Sequence, residues 1–368
     1  MKFSCYKNDL IDALKLVGKA VAAKPQTPIL SGIYLNAQGN QVELQANNFS
    51  LGITAKIPAH VETEGEVVVS GKRLADFVKG MPDDTITFSN EDNQNSLAIT
   101  SGGANVDLLT MTAEDFPKIK PLETDRSFQI SSSMLSNLIG KTAFAVAEDE
   151  SRPVFTGVLF ELRPNKITLV ATNTHRLAFA TDYIDNANET SFIVPAETLR
   201  SILPMLNTES DNKFVFVNYS SRNLSLTFDN FIVTSRLIEG VFPPYDKVIP
   251  EETATHVQLD TAEFKQAVKF VALMAKEAEY NAVKFVVLPN GIVISADSQD
   301  AGSAVKEIEA QVEGNGLNIS FNVAYIADWL STVEAKIINI DFNGQLEPVK
   351  FTELDNKNFI YVATPIRT

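Results

Sequence analysis

Apolar positions follow two periods that alternate along the chain. Over Asp9–Leu35 an amphipathic helix, with Leu10, Leu14 and Val17 on one side, passes through a Pro-bounded loop into an apolar strand. The same succession recurs over Ser132–Phe160 and Thr261–Leu288, with a step of about 125 residues. The predicted strands occupy Pro28–Leu35, Pro153–Phe160 and Asn281–Leu288. A second set of segments, Ser70–Phe77, Pro195–Ile202 and Asn322–Trp329, keeps the same step and predicts short helices. Ser70 and Asn322 suit helix N-caps, and Pro195 suits a first helical turn. Alternating or β-branched runs at Gln41–Ala46, Thr85–Phe88, Lys166–Ala171, Phe214–Asn218, Gly291–Ala296 and Ile337–Phe342 predict antiparallel strands between the helices. Together these elements make six rounds of strand, helix and three strands, two rounds to each repeat. The pattern predicts an α+β chain of three like domains. Pro and charge cluster at Phe116–Asp125 and at Phe242–Pro250, which places the domains at 1–124, 125–251 and 252–368.

Composition agrees with a folded chain of this size. Of 368 residues, 45% are hydrophobic and 21% charged, and no low-complexity tract interrupts the pattern. Lys7, Asp9 and Asp12 break any apolar stretch near the N-terminus, so a secretory peptide is not expected, and no run reaches membrane-spanning length. Cys5 is the only cysteine and falls in a predicted strand; a small buried residue in a reducing cytoplasm is the expectation.

Charge complicates the picture. The net charge of −15 divides as −4 over 1–124, −3 over 125–250 and −8 over 251–368. An acidic surface repels nucleic acid at long range. The predicted helices nevertheless carry basic stripes: Lys15 and Lys19 on the first, Lys72, Arg73 and Lys79 on the second. In the third repeat Lys265, Lys269 and Lys276 lie opposite Phe264, Val268 and Val271. One such stripe is what any solvated helix face carries. Recurrence points to equivalent helices lining one basic track, such as a tunnel, inside an acidic shell.

Catalytic and metal motifs are weak. His60, His175 and His256 stand in separate contexts without zinc-ligand spacing. Gly140-Lys141-Thr142 resembles the end of a phosphate-binding loop, but the earlier glycine is replaced by Leu135 inside an amphipathic helix. The acidic run Glu148-Asp149-Glu150 suits a solvated loop. Hydrolase chemistry has no defined carboxylate pair, and no metal or cofactor is expected.

One segment stands apart, the predicted inter-strand loop Ala171-Thr-Asn-Thr-His-Arg-Leu-Ala178. With Phe242-Pro-Pro-Tyr-Asp-Lys-Val-Ile-Pro250, the C-terminal Tyr361-Val-Ala-Thr-Pro-Ile-Arg-Thr368, the opening Met1-Lys-Phe3 and the Thr27–Leu30 loop, it resembles the bacterial β sliding clamp family, the processivity subunit of replicative DNA polymerase. The similarity covers the whole chain. It implies a head-to-tail homodimer of three-domain protomers, closed into a ring with helices lining the hole and sheets outside. Duplex DNA would be encircled without its bases being read. The implied partners are the polymerase's α-type subunit, an ATP-driven clamp loader, and other proteins bearing a short clamp-binding motif, among them repair polymerases, mismatch-repair proteins and ligase.

The resemblance also implies a peptide pocket between the middle and last domains. Matching positions are Phe155, from the strand before the loop, then Thr172, Thr174, His175, Arg176, Leu177, Pro243, Lys247 and Val248. The last domain adds Tyr280, Asn322, Tyr325, Pro348, Val362, Thr364, Pro365, Ile366 and Arg367. Leu177, Val248, Val362 and Ile366 can bury apolar anchors, while His175, Arg176 and Asn322 offer polar contacts. Leu177, Val248 and Val362 equally suit domain core. The chain departs from the family's pattern at Asn173, Thr174 and Thr364, where Asp, Gly and a long apolar residue are frequent. On the second-domain helix Ala196 and Glu197 replace a basic pair. Lys24, Lys72, Arg73 and Arg152 are the positions expected to touch phosphate. The ring seam is expected to join the edge strand Val106–Leu109, through Val106 and Leu108, to Leu273 and Met274.

Overall fold

The structure, a computed structural model, describes residues 1–90, 95–124, 126–185, 188–206, 213–276, 281–298 and 300–367. The first two rounds comprise Lys2–Tyr6 (β1), Lys7–Val17 (α1), Gly32–Gln38 (β2), Gln41–Asn47 (β3), Leu51–Pro58 (β4), the extra strand His60–Thr63 (β5), Gly65–Ser70 (β6), Gly71–Gly80 (α2), Thr85–Ser89 (β7), Ser96–Ser101 (β8) and Ala104–Met111 (β9). The next two comprise Ser127–Ser131 (β10), Ser132–Thr142 (α3), Gly157–Arg163 (β11), Lys166–Thr172 (β12), Arg176–Asp182 (β13), Thr190–Pro195 (β14), Ala196–Leu206 (α4), Phe214–Tyr219 (β15), Asn223–Phe228 (β16) and Phe231–Arg236 (β17). The last two comprise Thr255–Asp260 (β18), Thr261–Ala275 (α5), Ala282–Leu288 (β19), Gly291–Ser298 (β20), Gly302–Glu309 (β21), the extra strand Gln311–Glu313 (β22), Asn318–Asn322 (β23), Val323–Thr332 (α6), Ile337–Phe342 (β24), Val349–Glu353 (β25) and Asn356–Ala363 (β26). The six rounds are all present.

Backbone contacts divide the chain into two compact units, Met1–Leu135 with Glu197–Leu237, and Ser136–Ala196 with Ile238–Thr368. In the first, the described strands form one sheet in the order β10-β15-β16-β17-β4-β3-β2-β6-β9-β8-β7-β1-β5. In the second they form a nine-stranded sheet, β14-β11-β12-β13-β26-β25-β24-β18-β22, and a four-stranded one, β21-β20-β19-β23.

Each helix buries the stripe that its spacing predicts. On α5, Phe264, Ala267, Val268, Val271 and Ala275 are buried, and Asp260 caps the start by accepting from the Ala262 and Glu263 N–H groups. Asn322 caps α6 through the Ala324 N–H. Ser70 occupies the cap position of α2, but its side chain makes no capping bond. Leu135 is buried in α3, which removes the phosphate-loop reading of Gly140–Thr142. Cys5 is buried in β1, and burial pushes its thiol up to about 12, leaving it protonated and unreactive near neutral pH.

Three prolines act differently from expectation. The stretches Pro28–Ser31 and Pro153–Phe155 are single 3-10 turns, and the strands begin only at Gly32 and Gly157. Proline fixes φ and lacks a donor for the sheet ladder, so a turn opening on proline replaces the first strand residues. Phe155 therefore sits in a turn ahead of β11, not in the strand before the 173–175 loop, which is β12. Pro195 ends β14 opposite Gly157, and α4 starts one residue later.

Candidate functional site

The second unit gathers most of the expected pocket positions at one end of the β13–β26 pair. Leu177 lies opposite Val362 and Arg176 opposite Ala363. The β12–β13 connection is a tight hairpin over Asn173–His175. The Asn173 carboxamide oxygen accepts from the His175 and Arg176 N–H groups at 3.0 Å each. The Thr172 hydroxyl accepts from the Thr174 N–H at 3.1 Å and donates to the Arg176 carbonyl at 2.6 Å. These bonds hold Thr174 at φ 76°, a left-handed conformation that a β-branched residue adopts only under constraint. The side chains of Thr172 and Asn173 thus maintain a glycine-like turn without glycine.

Chain-terminal residues dock on this hairpin. The carbonyl oxygen of His175 accepts from both the N–H and the hydroxyl of Thr364, each at 2.9 Å, and the Ile366 N–H donates to the Ser320 carbonyl at 2.8 Å. A long apolar side chain at 364 could not make that hydroxyl bond. Thr364, Pro365 and Ile366 remain half-buried and Arg367 is exposed.

Arg176 anchors the floor. It is buried, donates to Asp328 and to the Phe144 carbonyl at 2.6 Å each, and stacks its guanidinium on the Tyr325 ring at 4.7 Å. Both terminal nitrogens are engaged inside the protein, while its buried Nε has no hydrogen-bond partner among the described residues, so the side chain braces the hairpin from within. Asn322 likewise spends its carboxamide oxygen on capping α6, at 2.9 Å from the Ala324 N–H.

An apolar wall adjoins. Leu159, Val170, Leu177, Ile193 and Val362 form a buried cluster, flanked by Phe242, Tyr245 and Ile249. Phe155 meets Phe242 edge-on at 6.2 Å, and the Tyr245 hydroxyl donates to Glu161 at 2.9 Å; burial first, and this bond second, push that phenol's pKa up. Leu177 and Val362 are thus core first, and they underlie the site. Ile366 and Val248 are the apolar positions that stay accessible, the latter 43% exposed on the turn Asp246–Val248. Pro243 and Lys247 are exposed beside it, and Pro348 is half-buried before β25, whose Val349 pairs with Ala363. Tyr280 lies outside the described residues.

The expected phosphate contacts are all exposed. Lys24 is on the loop between two 3-10 turns, and Lys72 and Arg73 are in the first turn of α2. Arg152, in the other unit, immediately precedes Pro153. Of the substituted pair on α4, Glu197 is exposed but Ala196 is buried, so position 196 does not reach solvent in this fold.

One seam residue needs correction. Strand β9 pairs with β8 over Ala104–Leu109 and with β6 at Thr110 and Met111, which leaves the other side of Ala104–Leu109 an open edge among the described strands. Alternation turns Leu108 inward at 4% exposure and Leu109 outward at 73%. Leu109 is therefore the apolar side chain offered outside; Val106 is half-buried. On α5, Leu273 and Phe270 are exposed and Met274 is half-buried, while β21 is one of the two outer strands of its sheet.

Family models for the N-terminal, central and C-terminal domains of the DNA polymerase III beta subunit match residues 1–120, 129–244 and 246–367. The chain belongs to the DNA polymerase III beta subunit family. It is 30% identical to the beta sliding clamp of Bacillus subtilis, with the whole of both chains covered. The crystal structure of the Thermotoga maritima DNA polymerase III beta subunit superposes with a TM-score of 0.92 at 31% identity, covering 100% of this chain and 99% of that one. The sliding clamp of Bacillus subtilis does so with a TM-score of 0.94 at 29% identity and the same coverage. The fold is the three-domain fold of that family. Sequence reasoning missed Asp328 and Phe144, the partners that fix Arg176; an Asp on the helix opposite a conspicuous Arg was the one available signal.

Proposed function

We propose that the chain is the protomer of a ring-shaped homodimer that encircles duplex DNA and tethers the replicative polymerase through a short peptide. The observation that carries this reading is the end of the β13–β26 pair, where a hydrogen-bonded hairpin receives the Thr364 segment beside an apolar cluster flanked by Phe242, Tyr245 and Ile249, with Ile366 only half-buried two residues beyond Thr364. An extended motif with a glutamine and two or three apolar side chains fits that chemistry. Domains at 1–124, 125–251 and 252–368 supply two helices each, so a dimer lines its hole with twelve. Lys24, Lys72, Arg73 and Arg152 contact phosphates, and the ring slides because phosphate contacts do not depend on sequence. Retention on DNA is topological, and a bound polymerase stays at high effective concentration near the primer end. An ATP-driven loader opens the ring, other motif-bearing replication and repair proteins compete for the site, and the work is cytoplasmic. No described helix is long and apolar enough to cross a membrane.

A fluorescent peptide with a Gln-Leu-x-Leu-Phe core is expected to bind saturably. Ile366→Asp or Val248→Asp should weaken it at least tenfold, about 1.4 kcal/mol. Leu177→Asp is the poorer test because it buries a charge in the core. Folded wild type that fails to bind the peptide would overturn the assignment of this site.

The ring seam is proposed where the open edge of β9 on one protomer meets β21 and the exposed face of α5 on the other, closing two edges that would otherwise invite aggregation. Leu109→Asp with Leu273→Asp is expected to shift the sedimentation of micromolar protein from dimer to monomer, weakening association tenfold or more. A variant that still sediments as a dimer places the seam elsewhere.

A further inference from the structure

The internal repeat builds the frame of the peptide site a second time, inside the first unit, with different chemistry. There β4 pairs with β17, and Gly52 stands opposite Thr234 as Leu177 stands opposite Val362. The β3–β4 hairpin also holds a non-glycine residue in the left-handed region, Phe49 at φ 69°, against Thr174 at 76°. Asn48 accepts from the Ser50 and Leu51 N–H groups as Asn173 accepts from His175 and Arg176. The returning strand closes on the hairpin through the same bond: the Arg236 N–H donates to the Ser50 carbonyl at 2.9 Å, as the Thr364 N–H donates to that of His175.

Over this second frame lies a cavity of about 300 Å³. The connector 117–122 forms one side. It is held by bonds from the Asn47 amide to the Pro117 carbonyl at 2.9 Å and from the Ile119 N–H to the Gln45 carboxamide oxygen at 3.0 Å. Apolar Phe49, Ile119 and Leu122 share the lining with Lys118, Lys120 and Arg236, and none of the described lining residues is Asp or Glu. In a chain of net charge −15 this is a local reversal of sign. Lys118 is already paired with Glu66 at 2.8 Å, whereas Lys120 and Arg236 make no ion pair among the described residues. Phe49 is 60% exposed at the rim. A recess lined by one sign of charge concentrates ligands of the other sign.

We infer that this cavity is a second peptide-docking site, for an extended acidic segment that places one apolar side chain against Phe49 and Ile119 and carboxylates near Lys120 and Arg236. The volume suits one or two side chains, and the hairpin frame is the one proposed to hold a peptide in the other unit. The argument stands on this cavity's own lining, so it does not require the first site to bind.

Anisotropy of a fluorescein-labelled Asp-Glu-Leu-Phe-Asp peptide on the full-length protein tests it, with Asn-Gln-Leu-Phe-Asn as the neutral control. Saturable binding is expected for the acidic peptide, weakened at least tenfold by Lys120→Glu with Arg236→Glu and severalfold by raising salt from 0.05 to 0.2 M. Phe49→Ala should weaken it as well, and Ile366→Asp should leave it unchanged. All three substituted residues at the cavity are exposed, so an unaltered melting temperature will accompany the loss. Absence of saturable binding, equal binding of the neutral peptide, or loss on Ile366→Asp alone would each overturn the proposal. So would charge reversals that leave peptide binding intact and weaken only duplex DNA, since the cations would then serve phosphate.

Discussion

Replacing Glu353 by alanine is expected to destabilise the second unit by about 3–5 kcal/mol, because it strands a lysine that has no other counterion among the described residues. Lys141 and Glu353 face each other at 3.4 Å with side chains only 9% and 3% exposed. The carboxylate is fully engaged: it accepts from the Glu334 N–H at 2.9 Å and from the Asn356 amide at 2.6 Å, besides Lys141. Removing it leaves the Glu334 N–H, the Asn356 amide and a buried ammonium without their acceptor. The measurement is a urea titration followed by the fluorescence of Trp329, the only tryptophan of the chain. Combining Lys141→Met with Glu353→Leu should recover most of the loss, since paired apolar replacements often equal a buried ion pair. A double variant as unstable as Glu353→Ala would show that the carboxylate matters through the backbone amides rather than through Lys141.

The same residue sets an acid limb. Burial pushes the Glu353 carboxyl up, but the Glu334 amide, Asn356 and Lys141 outweigh that and hold it below its ordinary 4.5. A carboxyl lowered on folding contributes stability that is complete above its unfolded value. That contribution disappears as pH falls below about 4.5 through the lower folded value. The gap in urea midpoint between wild type and Glu353→Gln should therefore narrow as pH drops from about 6 to about 3. A constant gap would mean that the ionised form earns nothing from its surroundings.

Much of this architecture was legible because period and repeat are local properties. Alternation in Thr85–Ser89 and the 3.6-residue stripe of α5 need no tertiary context, and a pattern present six times corrects its own errors. The errors occurred where one atom decides. A proline's missing donor turned the starts of two strands into 3-10 turns. One step of the β9 pleat exchanged Leu108 for Leu109 on the outer face. The polar economy of the site was not legible either. That Arg176 pairs with Asp328, and that Thr364 ties itself to His175, follows from contacts across 152 and 189 positions of sequence. Thr174 shows the two levels together: the residue type argues against a left-handed turn, and the flanking Thr172 and Asn173 side chains impose it.

Trp329→Ala should have an effect of similar size, about 3–5 kcal/mol, and should reach the peptide site as well as the core. Trp329 is completely buried on α6, stacks on Tyr361 with ring centroids 5.9 Å apart and planes 10° from parallel, and meets Phe351 at 5.1 Å. Tyr361 in turn donates to the Tyr325 carbonyl at 2.8 Å, and the Tyr325 ring carries the Arg176 guanidinium. Deleting the indole opens a cavity under β26 at the residue next to Val362, so the strand that bears Thr364 and Ile366 loses its support. Trp329→Phe separates size from polarity. The indole Nε1 is buried without a hydrogen-bond partner among the described residues, so phenylalanine sheds an unsatisfied donor while keeping most of the ring. We expect the phenylalanine variant to stay within about 1.5 kcal/mol of wild type and to bind the Gln-Leu-x-Leu-Phe peptide normally. The alanine variant should exchange the Tyr361 and Val362 amides faster and bind the peptide more weakly even where it is fully folded. If alanine lowers stability but leaves both exchange at Val362 and peptide affinity unchanged, the core and the site are uncoupled, and the hairpin bonds of Asn173 and Thr364 alone hold the site in shape.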